Sequence, residues 1–280
     1  MKTTQINQVT VPALGIGTWA LGEGPAAQST AELTAIRAGL DAGLTLIDTA
    51  EMYGDGKAET LVGQAIAPYD RSRLYLVSKF YPWHATPKLM RLALEKSLQR
   101  LGTDYLDLYL LHWPGETPLT ETLSGLVALK KAGLIRAYGL SNFDLPALKA
   151  ARALPGGKGI AANEVLYNVA ARGIDFDLIP YQQQRNLPLL GYSPFGSGNG
   201  RQIPLPSAVV QLAHQMHLSV HQLLLAWAGR GPVIPLVKTG SAAHMAANLA
   251  ALAVQFTAAQ LAIIDAAFPA PTRKVPLQSI

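Results

Sequence analysis

The sequence contains no cysteine, which excludes disulfide bonds and thiolate metal sites. It has no apolar stretch of about 18 residues, so we expect no membrane span. The net charge is +5, but lysine and arginine are scattered, so neither a nucleic-acid nor a membrane-binding patch is indicated. The first residues, "MKTTQINQVTVP", do not resemble a signal peptide. These absences predict a cytoplasmic protein whose partners are small molecules.

The remaining composition is that of a folded protein with a large core. Charged residues make up 15% of the chain and hydrophobic residues 49%, which does not favour disorder. The length of 280 residues suits either two small domains or one large α/β barrel. No linker or shift in composition divides the chain. We therefore expect one domain over residues 1–280.

Short apolar runs alternate with helical patterns along the whole chain. We predict strands at residues 14–19, 45–50, 74–79, 106–112, 135–141, 160–165, 188–193 and 233–238. Nearly continuous apolar runs are typical of parallel strands that are covered on both faces. Helix signals lie between them. Thr86 and Pro87 predict a helix start, Gly102 a helix end, and Thr257 with Gln260 has the pattern of a capping box.

Eight strands that alternate with helices predict a (β/α)₈ TIM barrel. A doubly wound sheet is the alternative fold. Its phosphate-binding turn, G-x-G-x-x-G, would follow the first strand, but this chain has "GEGPAA" there. In a barrel, the carboxyl ends of all strands meet at one end, which we call the mouth, and active sites lie there.

Several side chains suited to chemistry stand at the predicted strand ends. In chain order they are Trp19, Asp48, Lys79, His112, Ser141 with Asn142, Asn163 with Glu164, Tyr192 with Ser193, and Lys238, and Tyr53 lies just beyond Asp48. A lysine ammonium stabilises a phenolate, and a carboxylate would keep that lysine charged. Histidine can hydrogen-bond a substrate oxygen or carry a proton. Together these groups predict that Tyr53 is a general acid with a pKa lowered toward neutrality.

Each of these residues also has an ordinary structural interpretation. Asp48 could cap a helix, Tyr53 could anchor a loop, Lys79 could point into solvent and His112 could be a core residue. A metal hydrolase is a further alternative, but no H-x-H or H-E-x-x-H motif is present, and we predict no metal site. A lyase that uses Lys79 as a Schiff base is the other alternative.

In order along nearly the whole chain, the segments "LGIGTW", "LIDTAEMYG", "LVSKFYPW", "LDLYLLHWP", "GLIRAYGLSNF" and "GYSPFG" resemble those of the aldo-keto reductase superfamily. Bacterial methylglyoxal and diketogluconate reductases are the most similar subgroup. The resemblance implies that NADPH delivers a hydride to a carbonyl carbon. It also implies that Tyr53 protonates the alkoxide, that Lys79 paired with Asp48 lowers the Tyr53 pKa, and that His112 orients the carbonyl oxygen.

The resemblance also implies binding roles. Ser141 and Asn142 would bind the nicotinamide carboxamide, Tyr192 would stack on the ring, and Ser193 and Phe195 would lie by the pyrophosphate. Lys238 and Thr239 would bind the 2′-phosphate, and Asn248 the adenine. Aromatic walls of the substrate pocket would come from Trp19, Trp83 and Trp113. A monomer is common in this group. Because non-catalytic potassium-channel subunits share the fold, a binding module without turnover is an alternative function.

Two positions differ from the usual family pattern. Glu164 stands where relatives have Gln beside the carboxamide, and a buried carboxylate there needs a hydrogen-bond donor or a proton. We predict that Glu164→Gln changes the relative binding of NADPH and NADP⁺. At the adenosine end, His244 replaces a common Arg, and Ala247 replaces a common Glu. Since histidine is only partly charged near neutrality, we expect a modest, pH-sensitive preference for NADPH, with NADH also accepted.

Overall fold

A two-stranded antiparallel hairpin precedes the barrel and was not predicted from the sequence. In the computed structural model, which describes residues 2–196 and 203–280, β1 (Thr3–Ile6) pairs with β2 (Val9–Pro12). The two turn residues, Asn7 and Gln8, have φ of 49° and 67°. This left-handed pair suits a tight hairpin turn, but Asn-Gln lacks the glycine that usually marks one in a sequence.

Eight parallel strands form a closed barrel, as predicted. They are β3 (Gly15–Gly17), β4 (Leu46–Asp48), β5 (Tyr75–Phe80), β6 (Leu106–Leu111), β7 (Ile135–Ser141), β8 (Ile160–Leu166), β9 (Leu189–Tyr192) and β10 (Val233–Val237). Each lies in or overlaps one predicted strand. The order is β10-β3-β4-β5-β6-β7-β8-β9, and β10 pairs with β3 through Leu236 and Gly15. That pairing closes the sheet and rules out the doubly wound alternative.

Helices follow the strands and cover the barrel. They are α1 (Ala26–Asp41), α2 (Lys57–Ile66), α3 (Pro87–Leu101), α4 (Leu119–Lys131), α5 (Leu145–Ala153), α6 (Leu178–Gln183), α7 (Ser207–Gln215), α8 (Val220–Ala228), α9 (Ala242–Ala251) and α10 (Ala258–Ala267). None of the helices in the described part of the chain is long and apolar enough to cross a membrane.

The helix signals in the sequence are mostly confirmed. Pro87 is the first residue of α3, and Gly102 ends it with φ of 65°. Thr86 occupies the position before α3 but makes no side-chain capping bond, so that part of the prediction is wrong. At α10 the predicted capping box is present. Thr257 Oγ1 accepts from the Gln260 N–H at 3.2 Å, and Gln260 Oε1 accepts from the Thr257 N–H at 2.8 Å.

The inside of the barrel is filled by apolar residues below the mouth. The hairpin contributes Ile6 and Val11, and the strands contribute residues such as Tyr75, Val77 and Leu108. A second, larger cluster lies between the outer faces of the strands and the helices. The hairpin therefore closes the end of the barrel opposite the mouth, and a compact apolar floor lies beneath the functional side chains.

Candidate active site

The two-residue period of a strand aims the predicted site residues into the barrel. In β5, Tyr75 and Val77 belong to the interior cluster, so Lys79 is the next inward position. In β4, Leu46 is interior and Asp48 follows it at the same spacing. The same two-residue spacing joins an interior residue to a later position at the mouth in four other strands: Leu110 to His112, Ala162 to Glu164, Leu190 to Tyr192, and Leu236 to Lys238. In β7, Ser141 follows the interior residue Ala137 at twice that spacing.

Lys79 is the centre of the site, and it is fully buried. Its Nζ donates to Asp48 Oδ1 at 2.6 Å, to the Thr49 carbonyl oxygen at 3.1 Å and to the Tyr53 hydroxyl at 3.2 Å. Glu164 Oε1 lies 3.3 Å from the same nitrogen. The interpretation of Lys79 as a solvent-facing residue is therefore wrong. Asp48 does not cap a helix either, because α2 begins at Lys57, nine residues beyond it in the chain, and Gly56 occupies its N-cap position.

Tyr53 is held by a sharply turning loop. The three residues after it, Gly54, Asp55 and Gly56, have φ of 58°, 53° and 85° before α2 begins. The left-handed conformation costs a residue with a Cβ roughly 1–2 kcal/mol, so glycine suits two of these positions. The turn leaves the Tyr53 ring 5.8 Å from the His112 ring, centroid to centroid, in an edge-on arrangement. Asp48, Tyr53, Lys79 and His112 thus lie together, as the catalytic prediction requires.

Burial and charge act on the acidity of these groups in opposite directions. Burial raises the pKa of Tyr53 above its ordinary value, and the Lys79 charge lowers it without overcoming that effect. The predicted direction of the Lys79 effect is right, but the predicted lowering of the Tyr53 pKa toward neutrality is wrong in this structure. Tyr53 therefore keeps its proton at neutral pH. An alkoxide is basic enough to remove it.

Lys79 remains an ammonium. Burial alone would lower its pKa, but the interaction with Asp48 first, and those with Glu164 and Tyr53 after it, raise the Lys79 pKa above its ordinary value. An ammonium has no lone pair with which to attack a carbonyl. This contradicts the chemistry that the Schiff-base lyase requires.

His112 is a neutral imidazole. Burial, and then the Lys79 charge, lower the pKa of His112 to about 2. Its Nδ1 is buried and has no hydrogen-bond partner among the described residues. The ring therefore suits a neutral hydrogen-bonding role toward an oxygen at the mouth, and it would not carry a positive charge at neutral pH.

The residues assigned to the nicotinamide end lie on neighbouring strand ends. The Tyr192 hydroxyl donates to Asn142 Oδ1 at 2.8 Å, and Asn142 Nδ2 donates to the His112 carbonyl oxygen at 3.0 Å and to Ser141 Oγ at 3.3 Å. Asn142 and Ser193 have φ of 61° and 54°, a conformation that non-glycine residues adopt rarely and that recurs at functional sites. The Ser193 carbonyl accepts from Asn168 Nδ2 at 3.0 Å.

The residues assigned to the adenosine end lie around the start of α9. Thr239 and Asn248 are buried, whereas Lys238 and His244 are exposed. Thr239 Oγ1 accepts from the Ser241 N–H at 3.1 Å, and Ser241 Oγ caps α9 through the His244 N–H. A helix start with backbone donors and a nearby exposed lysine is suited to a phosphate. Phe195 packs edge-on against His221, 5.1 Å between ring centroids, and its place by the pyrophosphate remains a prediction.

An aromatic wall, formed by Tyr81, Trp83 and Trp113, borders His112. Tyr81 stacks on Trp83 at 4.2 Å between ring centroids, and Trp113 lies 5.8 Å from Trp83 and 4.9 Å from His112. Both tryptophans were predicted from the sequence, but Tyr81 was not. Trp19 follows β3 and is 37% exposed. Its place in a substrate pocket remains a prediction.

Two further contributors were missed in the sequence. The Thr49 carbonyl oxygen supports Lys79, and Glu51 anchors the base of the aromatic wall. Glu51 Oε1 accepts from the Tyr81 N–H at 2.6 Å and lies 2.8 Å from His84 Nδ1. Backbone groups carry no sequence signal, but Glu51 lies within the "DTAEMYG" segment and could have been noted.

A cavity of about 760 Å³ lies at the opposite end of the barrel, beside the hairpin turn and the first residues of β8 and β9. Its lining includes the basic residues Lys130, Arg152, Lys158 and Arg185, and none of the predicted site residues. In barrel enzymes the amino-terminal face contributes to stability and the mouth to catalysis. The functional site is therefore the mouth.

Comparisons with known proteins agree with this geometry. A sequence model described as the aldo/keto reductase family matches residues 13–268. The methylglyoxal reductase YeaE of Escherichia coli (strain K12) is 45% identical over 275 residues, which are 97% of this chain and 96% of that protein. An NADH-specific methylglyoxal reductase of the same organism is 31% identical over 216 residues, 68% of this chain and 65% of that protein.

A solved structure is similar over the whole fold. The crystal structure of an aldo/keto reductase from Klebsiella pneumoniae, in complex with NADP and acetate, superposes with a TM-score of 0.95 at 45% identity. The match covers 100% of this chain and 99% of that one. On these grounds the chain belongs to the aldo/keto reductase family of oxidoreductases.

Proposed function

We propose that this protein reduces aldehydes and ketones to alcohols with NADPH, and that small dicarbonyls such as methylglyoxal are among its substrates. The observation that carries the proposal is the contact of the Tyr53 hydroxyl with Lys79 Nζ at 3.2 Å, while the same nitrogen lies 2.6 Å from Asp48. Membership of the family and the 45% identity to a methylglyoxal reductase support the substrate class.

Each of the side chains at the mouth has a separate role in the reduction of a carbonyl group. The nicotinamide, when bound, supplies a hydride to the carbonyl carbon. Neutral His112 donates a hydrogen bond to the carbonyl oxygen and fixes its position. Tyr53 then gives its proton to the same oxygen as negative charge develops there. The Lys79 ammonium stabilises the phenolate that remains, and Asp48 holds Lys79 in place.

The residues on β7, β9 and β10 fit a dinucleotide. Ser141 and Asn142 present amide and hydroxyl groups for a carboxamide, and Tyr192 offers an aromatic face. Lys238 and His244 are exposed beside the start of α9, where a 2′-phosphate would find positive charge. Because one of these two residues is a histidine and not an arginine, we propose that NADPH is preferred and that NADH is accepted more weakly.

NADPH oxidation with a panel of carbonyl compounds tests the function. We expect turnover with methylglyoxal and aromatic aldehydes, and the panel should also include diketogluconate and open-chain sugars. Tyr53→Phe removes the proton donor and should lower kcat by roughly 10²–10⁴-fold, the usual contribution of a general acid, while NADPH still binds. If NADPH binds but no carbonyl compound is reduced, the protein is instead a binding module of the same fold.

We also infer that residues 1–280 act as one domain, as a monomer in the cytoplasm. The closed barrel supports the first inference, since the strands that complete it, β3 and β10, come from the two ends of the chain. Light scattering of the purified protein tests the second, and cell fractionation tests the third.

A further inference from the structure

Glu164 is a buried carboxyl group to which the reaction gives no role. It lies on β8 with no exposed surface, directly paired with Ser141 on the neighbouring strand β7. Titratable groups face it from three sides: Asp48 on β4, Lys79 on β5, and the phenols of Tyr53 and Tyr192. Only Lys79 among these groups is cationic.

The hydrogen bonds of Lys79 leave nothing for Glu164. An ammonium has three donors, and those of Lys79 are directed at Asp48, Thr49 and Tyr53. Glu164 Oε1 is 3.3 Å from Nζ, an ion-pair distance, and neither Glu164 oxygen has a hydrogen-bond partner among the described residues. A buried carboxylate without donors is strongly disfavoured.

The charge balance points the same way. One ammonium faces two carboxyl groups, so ionisation of both would leave a net negative charge in an apolar interior. Two neighbouring carboxyl groups in such a site cannot both ionise readily. Asp48 Oδ1 and Glu164 Oε1 lie 2.6 Å and 3.3 Å from the same Lys79 nitrogen, which places the two carboxyl groups side by side. Burial first, and the Asp48 charge second, raise the pKa of Glu164 well above its usual range.

We propose that Glu164 is held as a neutral carboxylic acid that shares one proton with Asp48, and that this proton sets the acid strength of Tyr53. While the proton is present, the Lys79 charge is balanced by a single carboxylate and stabilises the Tyr53 phenolate. When the proton leaves, two carboxylates compete for Lys79, and Tyr53 becomes a weaker acid. Glu164 is therefore a positioning residue for charge, not a catalytic one, and its role in turnover rests on the proposed function.

Infrared spectroscopy of the protein without cofactor tests the protonation directly. At neutral pH we expect the carbonyl band of a protonated carboxyl group in the wild type, and its loss in Glu164→Gln. Asp48→Asn should lose it too, because Glu164 must then ionise to balance Lys79. The proposal is overturned if the wild type lacks the band, or if the band is the same in Glu164→Gln.

Glu59→Gln is the matched control. Glu59 is equally buried, but its oxygens accept from Ser78 Oγ at 2.6 Å and from Arg100 Nε at 2.6 Å. Because both of its oxygens already have hydrogen-bond donors, its replacement should leave the infrared band and the pH profile of turnover unchanged.

The pH dependence of kcat/KM tests the link to Tyr53. In the wild type we expect kcat/KM to fall as alkaline pH removes the shared proton, whereas Glu164→Gln stays active to higher pH. Above the wild-type transition the variant should be about tenfold or more faster, since a neighbouring charge shifts a pKa by about one unit or more. Identical pH profiles of kcat/KM in the wild type and in Glu164→Gln would refute the link between the shared proton and Tyr53.

The two measurements separate the two proposals. The infrared band requires no turnover, so it can be present even if the protein reduces no carbonyl compound. In that case the proposed reductase function is wrong, but the proton shared by Glu164 and Asp48 is still supported. Conversely, turnover without the infrared band would support the reductase function and contradict the role proposed for Glu164.

Discussion

Lys79 Nζ and Asp48 Oδ1 form a 2.6 Å ion pair inside the barrel, where neither side chain has appreciable contact with solvent. Removal of one partner from a buried pair usually costs about 3–5 kcal/mol, because the other charge is left without compensation. Here Glu164 lies 3.3 Å from the same nitrogen and can take over the negative charge. Because of Glu164, replacement of Asp48 alone should cost less stability than it would in an isolated buried ion pair.

We expect Asp48→Asn to lower the free energy of unfolding by less than about 3 kcal/mol, because Glu164 ionises in its place. Glu164→Gln should be nearly neutral at pH 7. The double variant should lose far more than the sum of the two, since no carboxylate then faces Lys79. Urea unfolding of the four proteins measures this coupling. If the losses of unfolding free energy are additive, Glu164 does not replace Asp48 as the ionised partner of Lys79.

The conformation of the loop after Tyr53 leads to a prediction about both stability and kcat. Gly54 has φ of +58°, and an added Cβ would lie 2.8 Å from Glu23 Cγ, so Gly54→Ala should cost about 1–2 kcal/mol and displace Tyr53. We expect a lower kcat together with lower stability. Gly102→Ala is the matched control, because Gly102 has φ of +65° and open space around it. It should lose similar stability at an unchanged kcat.

His112 predicts a pH dependence of stability. Its pKa is about 2 in the folded protein, below the unfolded value near 6.5, so the unfolded chain binds the extra proton between these values. The His112 contribution therefore falls as pH drops below about 6.5. We expect His112→Gln to lose less stability than the wild type between pH 6.5 and pH 5, in urea unfolding at both pH values. Equal losses would mean that His112 is not held neutral.

The start of α9 predicts the cofactor preference. Arginine can donate two hydrogen bonds to one phosphate and is always charged, so His244→Arg should increase the selectivity for NADPH over NADH. The wild-type selectivity should be larger at pH 6 than at pH 8, and that difference should vanish in the variant. His214→Arg, at an exposed position of α7, adds the same charge elsewhere and should change neither result. Dissociation constants for both cofactors provide the measurement.

The aromatic wall predicts an effect on substrate binding. Trp113 lies against His112 and Trp83, so Trp113→Ala should raise KM for aromatic aldehydes more than for methylglyoxal, which has little surface to lose. Leu89→Ala removes an exposed apolar side chain from α3 and should leave both KM values unchanged. Equal changes in KM for the two substrates would argue that Trp113 only supports His112.

The sequence predicted those features that follow from periodicity and side-chain type. The eight apolar runs predicted the barrel, and their ends predicted Asp48, Lys79 and His112. The hairpin was missed because its turn uses Asn7 and Gln8 in a glycine-like conformation. The rise in the Tyr53 pKa was missed because it depends on burial. The competition between Glu164 and Asp48 was missed because it depends on how β8 and β4 face each other across the barrel.

The hairpin has a consequence for the protons of the site. Ile6 and Val11 fill the lower end of the barrel, and apolar side chains continue up to Lys79. Among the described residues, Asp48, Tyr53 and Glu164 therefore have apolar side chains beneath them and solvent on the side of the mouth. When ligands fill that opening, the number of protons inside is fixed until they leave. Each turnover would then start with the protons that were present at closure, and exchange with solvent would be confined to the interval between successive ligands.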